Sequence, residues 1–128
     1  MTTVRDFMST ELTILSPRDD VLRAMQTLIE GGISGAPVVD EQGSLVGLLT
    51  QRDCLTVAFR SAYHGGAAGR VEEFMTREVE TVDVGTTLVE VIARFYHSSR
   101  RRFPVLDENR LVGQISRRDV LRAFLELI

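Results

Sequence analysis

Two short patterns carry most of the chemistry this chain could do: Thr50-Gln51-Arg52-Asp53 and Ser116-Arg117-Arg118-Asp119. Each sets a hydroxyl three residues before a carboxylate, directly after a largely apolar run, Leu45–Leu49 or Leu111–Ile115. At a strand-to-helix junction this spacing has a structural use. Hydroxyl and acid satisfy each other's backbone N–H groups as a capping box. It also has a binding use. A short carboxylate at a helix start accepts hydrogen bonds from both hydroxyls of a ribose, while the hydroxyl and the free N–H groups face a phosphate. The two uses are compatible, since one residue caps in one ligand state and binds in another.

Arg100-Arg101-Arg102 form the second feature, with no acid within four residues on either side. Three like charges in a row repel, and a ligand phosphate would relieve them through charge-assisted hydrogen bonds. Arg117 and Arg118 stand beside Ser116 and either reach a phosphate or form a solvated first helical turn. Cys54, the single cysteine, falls in a first helical turn where a thiol pKa can drop. It has no visible base or partner and reads as filler. His64 and His97 belong to no Cys/His/Asp cluster, so no metal site is expected. No nucleophile–base spacing and no lysine-bearing phosphate loop exists. The chain is expected not to be an enzyme, and no required cofactor is implied.

The elements that must position these residues occur twice. Val4-Arg5-Asp6-Phe7-Met8 aligns with Val71-Glu72-Glu73-Phe74-Met75, and Pro37-Val38-Val39-Asp40-Glu41 with Pro104-Val105-Leu106-Asp107-Glu108, both at an offset of 67. Thr13-Ile14 aligns with Thr81-Val82 at 68, and Gly47 and Asp53 with Gly113 and Asp119 at 66. Such small drifts are expected where indels fall in loops. In the first copy, residues 1–10 read as a turn or short helix and Thr13-Ile14-Leu15 as a short strand. Ser16-Pro17-Arg18-Asp19 reads as a helix start, with Ser16 as N-cap. Val21, Ala24, Met25, Leu28 and Ile29 give that helix one apolar face, and Gly31-Gly32 ends it. A hairpin follows, from Ala36–Val39 to Ser44–Leu49 around Asp40-Glu41-Gln42-Gly43. A helix from about Gln51 to Ala62 closes the copy. The second copy repeats the order, with helix face Leu88, Val89, Ile92, Phe95 and Tyr96. The expected division is a first domain over 1–62, a Gly-rich linker over 63–70 and a second domain over 71–128.

Bulk properties narrow the class. With 128 residues, 44% of them hydrophobic and 26% charged, the chain is globular rather than disordered. Each half is too small to be more than marginal alone. A net charge of -3 argues against a general nucleic-acid binder. All 15 basic residues are arginine, an ion suited to phosphate. The N-terminal residues lack the apolar core of a signal peptide. No apolar run reaches the ~18–20 residues of a membrane span. With one cysteine excluding an internal disulfide, a soluble cytoplasmic protein without membrane contact is expected.

In order, spacing and duplication, Phe7-Met8, Pro37-Val38 and Gly47-Leu48-Leu49-Thr50-x-x-Asp53, with Phe74-Met75, Pro104-Val105 and Gly113-Gln114-Ile115-Ser116-x-x-Asp119, resemble a tandem pair of cystathionine-β-synthase-type (CBS) domains, a Bateman module. The resemblance spans essentially the whole chain. It implies an α/β fold of two β-α-β-β-α repeats packed as a pseudo-twofold pair, with clefts between the copies taking adenosine-type ligands. It also implies a homodimer and an unidentified regulated protein. In such domains the Asp equivalent to Asp53 and Asp119 binds ribose, and a basic residue two or three positions before the hairpin proline touches phosphate. Here Arg101 and Arg102 hold the latter positions, whereas Ile33-Ser34-Gly35-Ala36 in the first copy carries no charge, so unequal sites are expected. Ile14, Ala36, Val82 and Phe103 are candidates for an apolar adenine slot, or else plain core. The leading expectation is a non-enzymatic sensor of AMP, ADP or ATP, an energy-sensing role. S-adenosylmethionine or NAD as ligand, and an assembly module with degenerate sites, are the alternatives.

Overall fold

A computed structural model describes residues 2–66 and 68–128. Met1 and Ala67, which the expected first domain and linker include, lie outside the described residues. In chain order there is a 3-10 turn over Val4–Asp6, then α1 (Val21–Gly31), β1 (Gly35–Val39), β2 (Leu45–Thr50) and α2 (Gln51–His64). A second 3-10 turn over Val71–Glu73 leads to β3 (Val82–Asp83), α3 (Leu88–Tyr96), β4 (Arg102–Asp107), β5 (Arg110–Ser116) and α4 (Arg117–Leu127). The mixed α/β class matches the expectation. No described helix is long and apolar enough to cross a membrane.

The chain forms two compact units that cut across the sequence copies. One is continuous, Thr13–Val79, and the other is discontinuous, Met1–Leu12 with Glu80–Ile128. The turn opening each copy is thus built into the unit that holds the other copy's sheet. Val4 is buried with Val82, Leu88, Phe103 and Ile115, and Val71 with Val21, Leu28, Val38 and Leu49. Backbone hydrogen bonds fix both segments. The N–H of Val4 donates to Thr86 O at 2.8 Å, and that of Leu88 to Thr2 O at 3.1 Å. Likewise Val71 N–H donates to Asp19 O at 2.9 Å, and Val21 N–H to Gly69 O at 3.0 Å. The expected linker is correspondingly shorter, because Tyr63 and His64 still belong to α2 and Arg70 already bridges Asp20.

In the continuous unit β1 and β2 form an antiparallel hairpin with Val38 opposite Gly47. The strand expected at Thr13–Leu15 shrinks to Leu15, which bridges Val38 in parallel. Its counterpart Val82 pairs with Val105, so Leu15, not Ile14, is the true match of Val82. Helix α1 begins at Val21 rather than after Ser16. Asp19 Oδ2 accepts from Ser16 N–H at 2.8 Å, and Asp19 N–H donates to Ser16 O at 3.1 Å, closing a local turn. Short polar side chains compete with the helix in this way. Asp20 then caps α1, accepting from Leu22 N–H at 2.9 Å. Gly32, at φ +62°, ends it.

In the discontinuous unit β3 runs parallel to β4, and β4 antiparallel to β5. Phe95 and Phe103 stack at 4.5 Å between ring centres inside its core. Each such large side chain stabilises by about 1.5–3 kcal/mol. The buried stripe of α3 is Leu88, Val91 and Phe95, while Val89 and Tyr96, expected inside, are 76% and 82% exposed. Likewise Ile29 of α1 faces outward.

Glu108 and Asn109, which join β4 to β5, both adopt left-handed backbone, at φ 49° and 68°. A two-residue hairpin turn requires this, and asparagine tolerates it far better than glutamate. Glu108→Asn is therefore expected to stabilise the protein by about 0.5–1 kcal/mol, read as a rise in Tm of a few degrees.

Candidate functional site

A glycine seats each site. In β2 and β5, Gly47 and Gly113 are buried where the segment after a 3-10 turn crosses the strand. Thr76 and Leu48 exchange backbone hydrogen bonds, both at 2.8 Å, and Ser9 and Gln114 do the same at 2.8 and 2.9 Å. A Cβ on Gly47 would lie 2.6 Å from Met75 Sδ and 2.9 Å from Thr76 O. On Gly113 it would lie 2.6 Å from Met8 Sδ and 2.9 Å from Ser9 O. The Phe-Met pairs and the strand glycines, separate marks in the sequence, are thus one docking device. It delivers a second hydroxyl to each site, Thr76 or Ser9. Neither was singled out in the sequence, although both follow an aligned Phe-Met pair at the same offset.

Both hydroxyl-x-x-Asp patterns form capping boxes at the N-termini of α2 and α4. Thr50 N–H donates to Asp53 Oδ2 at 2.9 Å, and Asp53 N–H to Thr50 Oγ1 at 3.1 Å. Ser116 N–H donates to Asp119 Oδ2 at 2.9 Å, and Asp119 N–H to Ser116 Oγ at 3.1 Å. Beyond the backbone they differ. Asp53 also accepts from the Thr50 hydroxyl at 3.0 Å and from the Thr76 hydroxyl at 3.2 and 3.3 Å. Asp119 Oδ1 accepts from no described residue, leaving its lone pairs open.

Asp119 opens into a cleft of about 460 Å³ that Ser9, Arg101, Arg102, Gln114, Ser116, Arg117 and Arg118 also line. Arg117 braces its wall, donating from N to Arg101 O at 3.0 Å and from Nε to Arg100 O at 3.1 Å. Arg100 itself turns to Glu80, 3.7 Å away, an acid too distant in sequence to be seen beside the arginine run. Among the described residues no carboxylate lies within ion-pair distance of Arg101, Arg102 or Arg118. Of the sequence-expected set, Arg101, Arg102, Ser116 and Asp119 come together here.

The four candidates for the apolar slot differ in exposure. Ala36 and Phe103 are fully buried, and Val82 is 2% exposed. Their side chains belong to the two cores. Only Ile14, half exposed, remains at the surface.

Cys54 is a free, half-buried thiol, in keeping with filler. Burial pushes its thiol pKa up, and the Asp53 carboxylate pushes the same way. Alkylation at pH 8 should be slower than for free cysteine, and Asp53→Asn should speed it. An unchanged rate would deny the coupling. His64 and His97 are exposed, and the described residues contain no metal-binding cluster.

Comparisons with known proteins bear on the family and the fold. A family model described as CBS domain matches residues 4–60 and 71–126. The uncharacterized protein MJ1225 of Methanocaldococcus jannaschii is 28% identical over 119 residues, 93% of this chain and 41% of that relative, so the chain spans less than half its length. The structure of CBSX2 in complex with AMP matches with a TM-score of 0.84 at 30% identity, covering 99% of this chain and 98% of that one. CBSX2 is a CBS-pair protein from Arabidopsis thaliana. The CBS domain pair of protein MJ0100, in complex with 5′-methylthioadenosine and S-adenosyl-L-methionine, matches with a TM-score of 0.75 at 29% identity, covering 100% and 99%.

Proposed function

The chain belongs to the CBS domain family, and on that premise we propose that it is a non-enzymatic sensing module binding an adenine nucleotide at the Ser116–Asp119 cleft. One observation carries the reading. An open carboxylate oxygen on Asp119 shares a cleft with Arg101, Arg102 and Arg118, which have no acid partner among the described residues. The carboxylate suits the two ribose hydroxyls. The arginine forks and the N-terminus of α4 suit phosphate. The AMP held by CBSX2 supports the same ligand class. The level of AMP, ADP or ATP in the cytoplasm is then what the module reads. A second copy of the chain, covering the exposed Leu121 and Leu125 of α4, would pass the state on to a regulated protein. Binding alone transmits nothing unless two conformations differ in affinity for the ligand.

The test is thermal unfolding against AMP, ADP, ATP, S-adenosylmethionine, NAD and phosphate. A ligand at ~100 times its Kd stabilises by ~2.7 kcal/mol, several degrees in Tm for a chain of this size. A shift selective for adenine nucleotides supports the reading. A shift with S-adenosylmethionine alone moves it to the ligand class of MJ0100. No shift with any of them leaves an assembly module.

A further inference from the structure

The two capping boxes share a backbone and differ in charge. Gln51 N–H donates to Ser34 O at 2.9 Å, as Arg117 N–H does to Arg101 O at 3.0 Å, so the positions correspond. Arg101 has Ser34 as its counterpart, Arg102 has Gly35 and Arg117 has Gln51. Only Arg118 keeps an arginine, Arg52. The difference is built into the packing as well as the composition. A Cβ on Gly35 would stand 3.1 Å from Leu49 O and 3.4 Å from Thr50 Cα, leaving little room for any side chain there. Gln51 is also committed, donating from Nε2 to Ile33 O at 3.1 Å. Four arginines and one carboxylate line the Ser116–Asp119 cleft. That surplus exceeds what one phosphate neutralises, and it is spread along both the strand side and the helix side of the cleft.

Resting on the adenine-nucleotide reading above, we propose that the Ser116–Asp119 cleft selects by phosphate number, preferring nucleoside polyphosphates to the monophosphate, and that the Thr50–Asp53 position has no such preference. Arg101 and Arg102 determine the specificity. Each added phosphate gains a charge-assisted pair with an arginine fork that has no acid partner to give up. The Thr50–Asp53 box has one arginine nearby, and Thr76 already holds its carboxylate.

The experiment is calorimetric titration of the full chain at ~0.15 M salt, where surface charges are partly screened. The ligands are adenosine, AMP, ADP, ATP and inorganic tripolyphosphate. The proteins are the wild type and the Arg101→Gln/Arg102→Gln double variant. Both arginines are exposed, so the variant should fold, and its Tm without ligand checks this. Affinity should rise about tenfold per phosphate from AMP to ATP in the wild type. In the double variant each step should fall to about threefold or less, with adenosine unchanged. A flat series in the wild type, or the same slope in the variant, overturns the proposal and leaves the nucleotide reading standing. Tripolyphosphate binding as tightly as ATP overturns it as well, by showing a bare anion site. If none of the adenine compounds binds, the nucleotide reading fails and takes this proposal with it.

Discussion

Gly113→Ala is expected to destabilise the protein by about 3 kcal/mol, the upper end for forcing atoms into packed space. The new methyl meets the Ser9 carbonyl at 2.9 Å. A flexible methionine can swing away, but a backbone oxygen held in a two-bond bridge moves only if the bridge opens. The strand would then lose its contact with Ser9, and Met8 its seat. Gly47→Ala should behave alike in the continuous unit, against Thr76 O at the same distance. Differential scanning calorimetry would show a fall of roughly 10 °C in Tm. Gly31→Ala is the control, because its Cβ meets only Ile33, at 3.8 Å, and a helical alanine should be neutral or slightly stabilising. If Gly113→Ala melted with the control, the docking role of the glycine would be wrong.

The other large effect is on binding. Asp119→Ala should weaken ATP about 100-fold, since two hydrogen bonds from a ribose to a charged acceptor are lost together. Its effect on stability should be modest, about 1 kcal/mol, from the lost Ser116 N–H acceptor. Asp53→Ala should reverse the balance. Asp53 accepts from the Thr50 backbone and from the hydroxyls of Thr50 and Thr76, so its removal should lower Tm more and ATP affinity less. Titration and melting of both variants separate the two roles. Equal losses of ATP affinity would contradict the assignment of the nucleotide to the Asp119 cleft.

These contrasts show where the sequence was readable. Hairpins, glycine ends and both capping boxes follow from contacts a few residues apart, and local spacing encodes such contacts directly. Thr50 and Asp53 are an example, as are Ser116 and Asp119. The start of α1 lies later than local spacing predicts, because Ser16 and Asp19 satisfy each other in a turn with the same signature as a helix cap. The apolar slot is hard to read for a different reason. Buried and ligand-facing apolar residues have the same side chains, and only the pairing of Leu15 with Val38 shows that Ile14 points away. The open oxygen of Asp119, against the engaged one of Asp53, depends on where Ser9 and Thr76 fall. Glu80, which relieves Arg100, likewise acts through a contact that no local window contains.

The discontinuous unit has a consequence for how the chain is made. Every residue of Thr13–Val79 is at hand once Val79 has left the ribosome, so that unit can close while the rest is still being translated. Val4, Phe7 and Met8 are synthesised before that unit yet must wait until after it. Their partners Val105, Ile115 and Val120 come near the end of the sequence. The entropy of closing so long a loop grows only slowly with length, and the early folding of the intervening unit shortens the effective search. A ribosome stalled before β5 would therefore carry one finished unit and one apolar leader without its pocket, the kind of species that chaperones hold and that otherwise aggregates.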